Sequence, residues 1–198
     1  MNCGNKTSAR NVSERIKTYN TIGCCGIDCG LCPRFHTKGN SACPGCGGPD
    51  FKEKHPSCGF LTCCLNKKGL EVCASCPEYP CKRFEPERYG RDSFVTHRKI
   101  FPNLEFIWDN GLSCFIDQQK IRMEILNDFL LNYDEGRSKS FFCTACALLP
   151  LNKLIEIQNY IKTTGSSFSA EENNKLLKER LQAVADNLGI TLKLNNKK

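Results

Sequence analysis

GCCGIDCGLCPRFHTKGNSACPGCGG, residues 23–48, places six cysteines in 26 positions. Whether those thiols form a disulfide staple, hold a metal or make a reactive centre decides how the whole chain is read. There are sixteen cysteines in 198 residues. The first twenty residues, MNCGNKTSARNVSERIKTYN, are polar and lack the apolar core of a secretory signal. No apolar run approaches the roughly 18–20 residues of a membrane span. These features predict a cytoplasmic protein with no membrane segment. In that compartment thiols stay reduced, and a high cysteine count points to metal rather than to disulfides.

The cysteines are clustered. Eleven fall within residues 24–76, Cys81 follows closely, and Cys3, Cys114, Cys143 and Cys146 stand outside. Residues 21–90 hold most of the Gly and Pro and lack helical periodicity, so they read as turns organised around something other than a hydrophobic core. Beyond them, residues 91–198 read as helical. One stripe runs through Ile121, Ile125, Leu126, Phe129, Leu130 and Tyr133, a second through Leu151, Leu154, Ile155 and Ile161, and a third through Leu177, Leu181, Val184, Ala185 and Leu188. The third opens on Ser169 and Glu172 in capping-box spacing and stops at Gly189. ITLKL, residues 190–194, alternates like a short strand. The expected fold is mainly α, an irregular Cys-rich metal-binding module packed on a small C-terminal helical bundle. Residues 1–20 form a flexible tail, and the final NNKK frays.

Two cysteines separated by two residues can turn toward one ion around a tight knuckle, and a tetrahedral zinc site needs two such pairs. The pairs here are Cys29/Cys32, Cys43/Cys46 and Cys73/Cys76, with His55/Cys58 as a mixed version. His55-x2-Cys58-x4-Cys63 recurs as Cys73-x2-Cys76-x4-Cys81 at a constant offset of 18 residues. A swap of Cys for His at a fixed offset keeps ligand character, which argues for a shared chemical job. With Cys25, Cys63 and Cys81 added, the candidate ligands are Cys25, Cys29, Cys32, Cys43, Cys46, His55, Cys58, Cys63, Cys73, Cys76 and Cys81, enough for two or, with one more donor, three zinc ions. The module has few bulky aliphatic residues to offset its chain entropy, so metal binding would supply folding energy.

The rival cofactor is a [4Fe–4S] cluster. Cys25-x3-Cys29-x2-Cys32 has the spacing by which radical SAM enzymes hold such a cluster, but those enzymes need a (βα) barrel that this sequence does not suggest. A structural or electron-transfer cluster with Cys43 or Cys81 as fourth ligand is the stronger version. In the doublets Cys24-Cys25 and Cys63-Cys64, one member is expected to ligate and the other to pack. Cys143 and Cys146 lie among Phe141, Phe142, Leu148 and Leu149 where a helix starts near Ser138, so they read as buried core residues rather than a redox dithiol. Arg137, Ser138 and Lys139 at that helix start form a possible anion site, set against a plain capping loop. His36 and His97 lack a partner motif.

The net charge of +7 suggests affinity for anions, nucleic acid included. Eight thiolates on two zinc ions would lower it to about +3, which weakens that argument. A nucleic-acid face would combine Lys52, Lys54, Lys82 and Arg83 with exposed rings of Phe51, Tyr79 and Phe84.

CGIDCGLCPRF, CPGCGG, PSCGFLTCC, CASCPEYPCKRF and YDEGRSKSFFC resemble the cysteine-rich bacterial and archaeal family called domain of unknown function 3795, across roughly residues 25–151. The family carries no established reaction. The resemblance implies that Cys25, Cys29, Cys32, Cys43, Cys46, Cys58, Cys63, Cys73, Cys76 and Cys81 match its motif, that His55 departs from it, and that Cys24 and Cys64 are extras. No Ser/His/Asp set, phosphate-cradling glycine loop or paired carboxylates stand out. The sequence reading is therefore a non-enzymatic zinc-stabilised protein with a protein partner, with nucleic-acid binding and an iron–sulfur redox role as alternatives.

Overall fold

The computed structural model describes residues 15–84, 92–164 and 168–195. Residues up to 84 run as short turns. Two brief helices, α1 (Phe51–Lys54) and α2 (Gly59–Leu61), are accompanied by 3-10 turns at Cys29–Leu31, Gly39–Ser41, Cys73–Ser75 and Lys82–Phe84, and α2 continues into a π-helical turn at Thr62–Lys67. Then come α3 (Ile100–Asn110), α4 (Leu112–Asn132), α5 (Lys139–Leu148), α6 (Leu151–Thr164) and α7 (Ala170–Asn187). The chain is mainly helical, and among the described residues the β pairing is a single bridge between Ile22 and Asp28.

Sequence dictates most of these helices. α5 buries every residue from Phe142 to Ala147, so it sits in the centre of the bundle, as a helix apolar on all sides must. Around it Ile125, Leu126 and Phe129 of α4, Leu154, Ile157 and Ile161 of α6, and Leu177, Leu181 and Ala185 of α7 form one core, joined by Leu31 from the module. α7 opens with the expected capping box: the Ser169 side chain accepts from the Glu172 N–H, and the Glu172 carboxylate accepts from the Ser169 N–H. It closes at Gly189, whose φ of +65° suits glycine, with the Ile190 N–H returning to the Ala185 carbonyl.

Several expectations need correction. Ile121 is 40 % exposed, Ile155 38 % and Leu188 48 %. At about 100° per residue, Ile121 lies roughly a quarter-turn from the centre of its stripe and Ile155 further still. ITLKL is not a strand: the Arg98 guanidinium donates to the Thr191 and Lys193 carbonyls, and only Leu192 of the segment is buried. α3 lies inside the stretch read as helical, although no apolar stripe is assigned to it. It buries Ile100, Leu104 and Ile107 against the module and ends at Gly111 (φ +86°), which lets α4 begin at once.

A second apolar cluster joins Ile22, Val72, Ala74 and Phe84 of the module to Ile100, Leu104, Ile107, Phe115 and Ile116. A third lies within the module, where Cys24, Cys46 and Cys64 pack with Phe51, Leu61 and Leu65. Residues 15–20, assigned to the tail from sequence, are tied to the module: Thr18 and Tyr19 donate their N–H groups to Glu71, and Lys17 is buried. The expectations for residues 1–14 and 196–198 lie outside the described residues. No helix among those described is long and apolar enough to cross a membrane.

Candidate metal centre

The Cys-x2-Cys segments at Cys29/Cys32 and Cys73/Cys76 share one local structure. Each opens on a 3-10 turn in which the second cysteine's N–H returns to the first one's carbonyl, at 3.1 Å for Cys32 and 2.9 Å for Cys76. The knuckle geometry expected from the spacing is therefore present at both.

All fifteen described cysteines are free thiols. Cys25, Cys29, Cys46 and Cys58 are near neighbours. Burial above all pushes the Cys25 thiol up to about 12, and the thiolate charges of Cys46 and Cys58 push the same way. Cys29 lies well above the ordinary thiol range through burial, then through Cys46, Cys25 and Cys32. Cys43 and Cys143 also lie within electrostatic reach of Cys32. A second grouping surrounds a cavity of about 20 Å³ lined by Cys63, Cys64, Cys73, Cys76 and Cys81 together with Lys68. The Lys68 ammonium is 3.1 Å from the Cys76 Sγ and 2.9 Å from the Glu78 carboxylate.

The thiols of Cys46, Cys24, Cys64 and Cys73 lie in interacting reach of one another in that order and so link the two groupings, while the Cys64 thiol donates to the Leu70 carbonyl at 3.3 Å. Cys24 and Cys64, read as extras, are the most buried members of the module's thiol set. At Cys64 the neighbouring Cys24 thiol favours the thiolate, but Cys73 and burial outweigh it, and the group is pushed up to about 12. Lys17 lies alongside, 4 % exposed, its Nζ donating to the Ile22 carbonyl at 2.5 Å. Its positive charge favours the thiolate form of Cys24, Cys46 and Cys64. Sequence reasoning missed Lys17 because it sits in a polar stretch. The cue was its nearness to the first cysteines.

The other sequence candidates fall apart from the thiols. His55 is exposed and its ring stacks on Phe51 at 4.8 Å. At the start of α5, the Asp134 carboxylate already accepts from the Gly136 and Ser138 N–H groups. Ser138 is buried against Asn174, Arg137 is exposed, and Lys139 reaches the His36 carbonyl. Cys143 and Cys146 are buried in the bundle core. Among the described residues no three Cys, His, Asp or Glu side chains are disposed to hold one metal ion, so the sulfurs border shared space without converging on a point.

This is a cysteine-rich, mainly helical protein with reduced thiols in its first half. Residues 21–86 match the family described as "Protein of unknown function (DUF3795)". The match covers the Cys-rich module and stops well short of residue 151, where the resemblance was expected to end. No curated protein and no solved structure matches the chain.

Proposed function

We propose that the module binds zinc through cysteine thiolates, that the metal is structural, and that the chain acts as a cytoplasmic binding protein rather than an enzyme. The observation that carries this reading is the set of five cysteines around one cavity of about 20 Å³. That is room for one water-sized occupant, which suits a single ion better than a four-iron cube. Zinc is held by up to four sulfurs at about 2.3 Å, so loading would turn Cys63, Cys73, Cys76 and Cys81 inward. A second ion would take Cys25, Cys29, Cys46 and Cys58. Cys32 and Cys43 are left over, and His55 stands apart from the thiols on the Phe51 ring.

Charge supports the same reading. Four thiolates around a divalent ion carry a net double negative charge, and each grouping has an ammonium beside it, Lys17 near Cys46 and Lys68 at Cys76. A closed four-sulfur site leaves no position for water or substrate, which is the reason for reading a structural metal. The nucleic-acid alternative loses support because Phe51 and Phe84 are buried and cannot stack on a base.

Elemental analysis of protein purified without oxygen tests the proposal. The expected result is about two zinc ions per chain and no iron. A brown preparation absorbing near about 400 nm would replace zinc with an iron–sulfur cluster, and folded protein free of both metals would end the metal reading.

A further inference from the structure

We propose that a cavity of about 110 Å³ where the module meets α3, α4 and α5 is a binding site for a small oxyanion, of carboxylate or phosphate type, held by Lys99 and Arg122. Its polar wall is Asp28, Lys99, Asn103, Gln118, Gln119 and Arg122. None of these is a thiol or a candidate metal ligand.

The argument rests on which polar groups are already engaged. The Gln119 amide is fully used: it accepts from the Thr21 hydroxyl at 2.6 Å and donates to the Thr21 carbonyl at 2.9 Å and the Asp28 carboxylate at 2.7 Å. Asn103 donates to the Gly26 carbonyl at 2.9 Å. Arg122 is pinned by one nitrogen, Nη1, to the carbonyls of Cys146 (2.7 Å) and Leu149 (2.8 Å) at the end of α5, which fixes the guanidinium and leaves its other donors outside those bonds. The Lys99 ammonium is half-buried and makes no hydrogen bond or ion pair among the described residues.

Charge sets the ligand class. Two cations and one carboxylate line the space, a net positive charge; Gln119 donates to the carboxylate, and Arg122 and Lys99 also favour its charged form. Burial, followed by the like charge of Arg122, lowers the Lys99 pKa from its ordinary value, while Asp28 pulls it back up. An anion between the two cations would relieve both burdens and accept the donors left over, as charge-assisted hydrogen bonds favour. Size sets the limit. The cavity is smaller than the roughly 150 Å³ that accommodates benzene in an engineered core, so the ligand has the bulk of acetate or inorganic phosphate.

Calorimetric titration of the full chain with sodium acetate, and separately with inorganic phosphate, tests this at ionic strength held constant with chloride. Saturable one-site binding of either anion is expected, and the arm that binds tells carboxylate from phosphate. Lys99→Gln should weaken it at least about tenfold without unfolding the protein, since its ammonium bonds to nothing in the fold. Lys120→Gln, an exposed change on α4, should leave it unaltered, and citrate should be excluded by size. Absence of saturable binding by both anions, wild-type affinity in Lys99→Gln, or citrate binding as tightly as acetate would each overturn the site.

Discussion

Asp92 shows how one side chain holds the end of this chain in place. Its carboxylate accepts from the His97 N–H at 2.7 Å, the Asn195 N–H at 2.8 Å and the Thr96 hydroxyl at 3.3 Å, and the Arg98 Nε lies 3.8 Å away. Burial alone would raise its pKa. The Asn195 and His97 N–H groups and the Arg98 charge outweigh burial and hold it below the ordinary carboxylate range. A depressed folded pKa means that the stabilisation is complete above the unfolded value of about 3.9. It is lost as pH falls through the lower folded value. Asp92→Asn is therefore expected to cost about 1–3 kcal/mol at pH 7, with the gap to wild type closing below about pH 4. Urea melts at pH 7 and pH 3 measure it, and an equal gap at both pH values would remove the charge from the explanation. The same contacts explain why the strand expected at residues 190–194 does not form. The alternation of ITLKL was visible, but the carbonyls that a neighbouring strand would use are taken by Arg98. A long-range guanidinium contact leaves no periodic trace in the sequence.

Among the elements, those that carry their own start and stop signals were legible. α7 has a reciprocal cap at Ser169 and Glu172, a glycine stop, and Leu177, Leu181 and Ala185 on one buried face. Ser169→Ala removes the acceptor for the Glu172 N–H and should cost about 1 kcal/mol, a fall of about 2–4 °C in melting temperature for a chain of this size. A thermal melt followed by circular dichroism measures it, and an unchanged midpoint would mean that core packing alone fixes the helix start. α3 lacked a start signal, although Gly111 ends it. Its N-cap makes no side-chain bond, Pro102 sits in its first turn, and its buried Asn103 is explained only by the Gly26 carbonyl across the interface. The thiols follow the same rule. Knuckle spacing revealed the turns at Cys29 and Cys73. It could not tell which member of each doublet faces inward, because adjacent residues point different ways. Cys24 and Cys64 proved to be the buried ones.

At the scale of the molecule, the three apolar clusters divide the labour unequally. α5, α6, α7 and the second half of α4 enclose a core around Phe129 and Phe142 to which the module adds Leu31. The module, by contrast, shares one cluster with α3 and the start of α4, and its internal cluster is half cysteine. Backbone ordering costs roughly 1–2 kcal/mol per residue, and thiols contribute less burial energy than the leucines and phenylalanines of the bundle. If zinc supplies the difference, its removal should act regionally. A strong chelator is expected to release residues 21–84 and α3, which packs on them, while α5, α6 and α7 stay folded. Circular dichroism should then lose part of the helical signal and keep the rest. Hydrogen exchange should lose protection in residues 21–84 and 100–110 but not in 139–187. Metal shown to be gone from a chain whose melting curve and exchange pattern have not moved would mean that the thiols hold the module together as packed, protonated side chains, through contacts such as the Cys46, Cys24, Cys64 and Cys73 series.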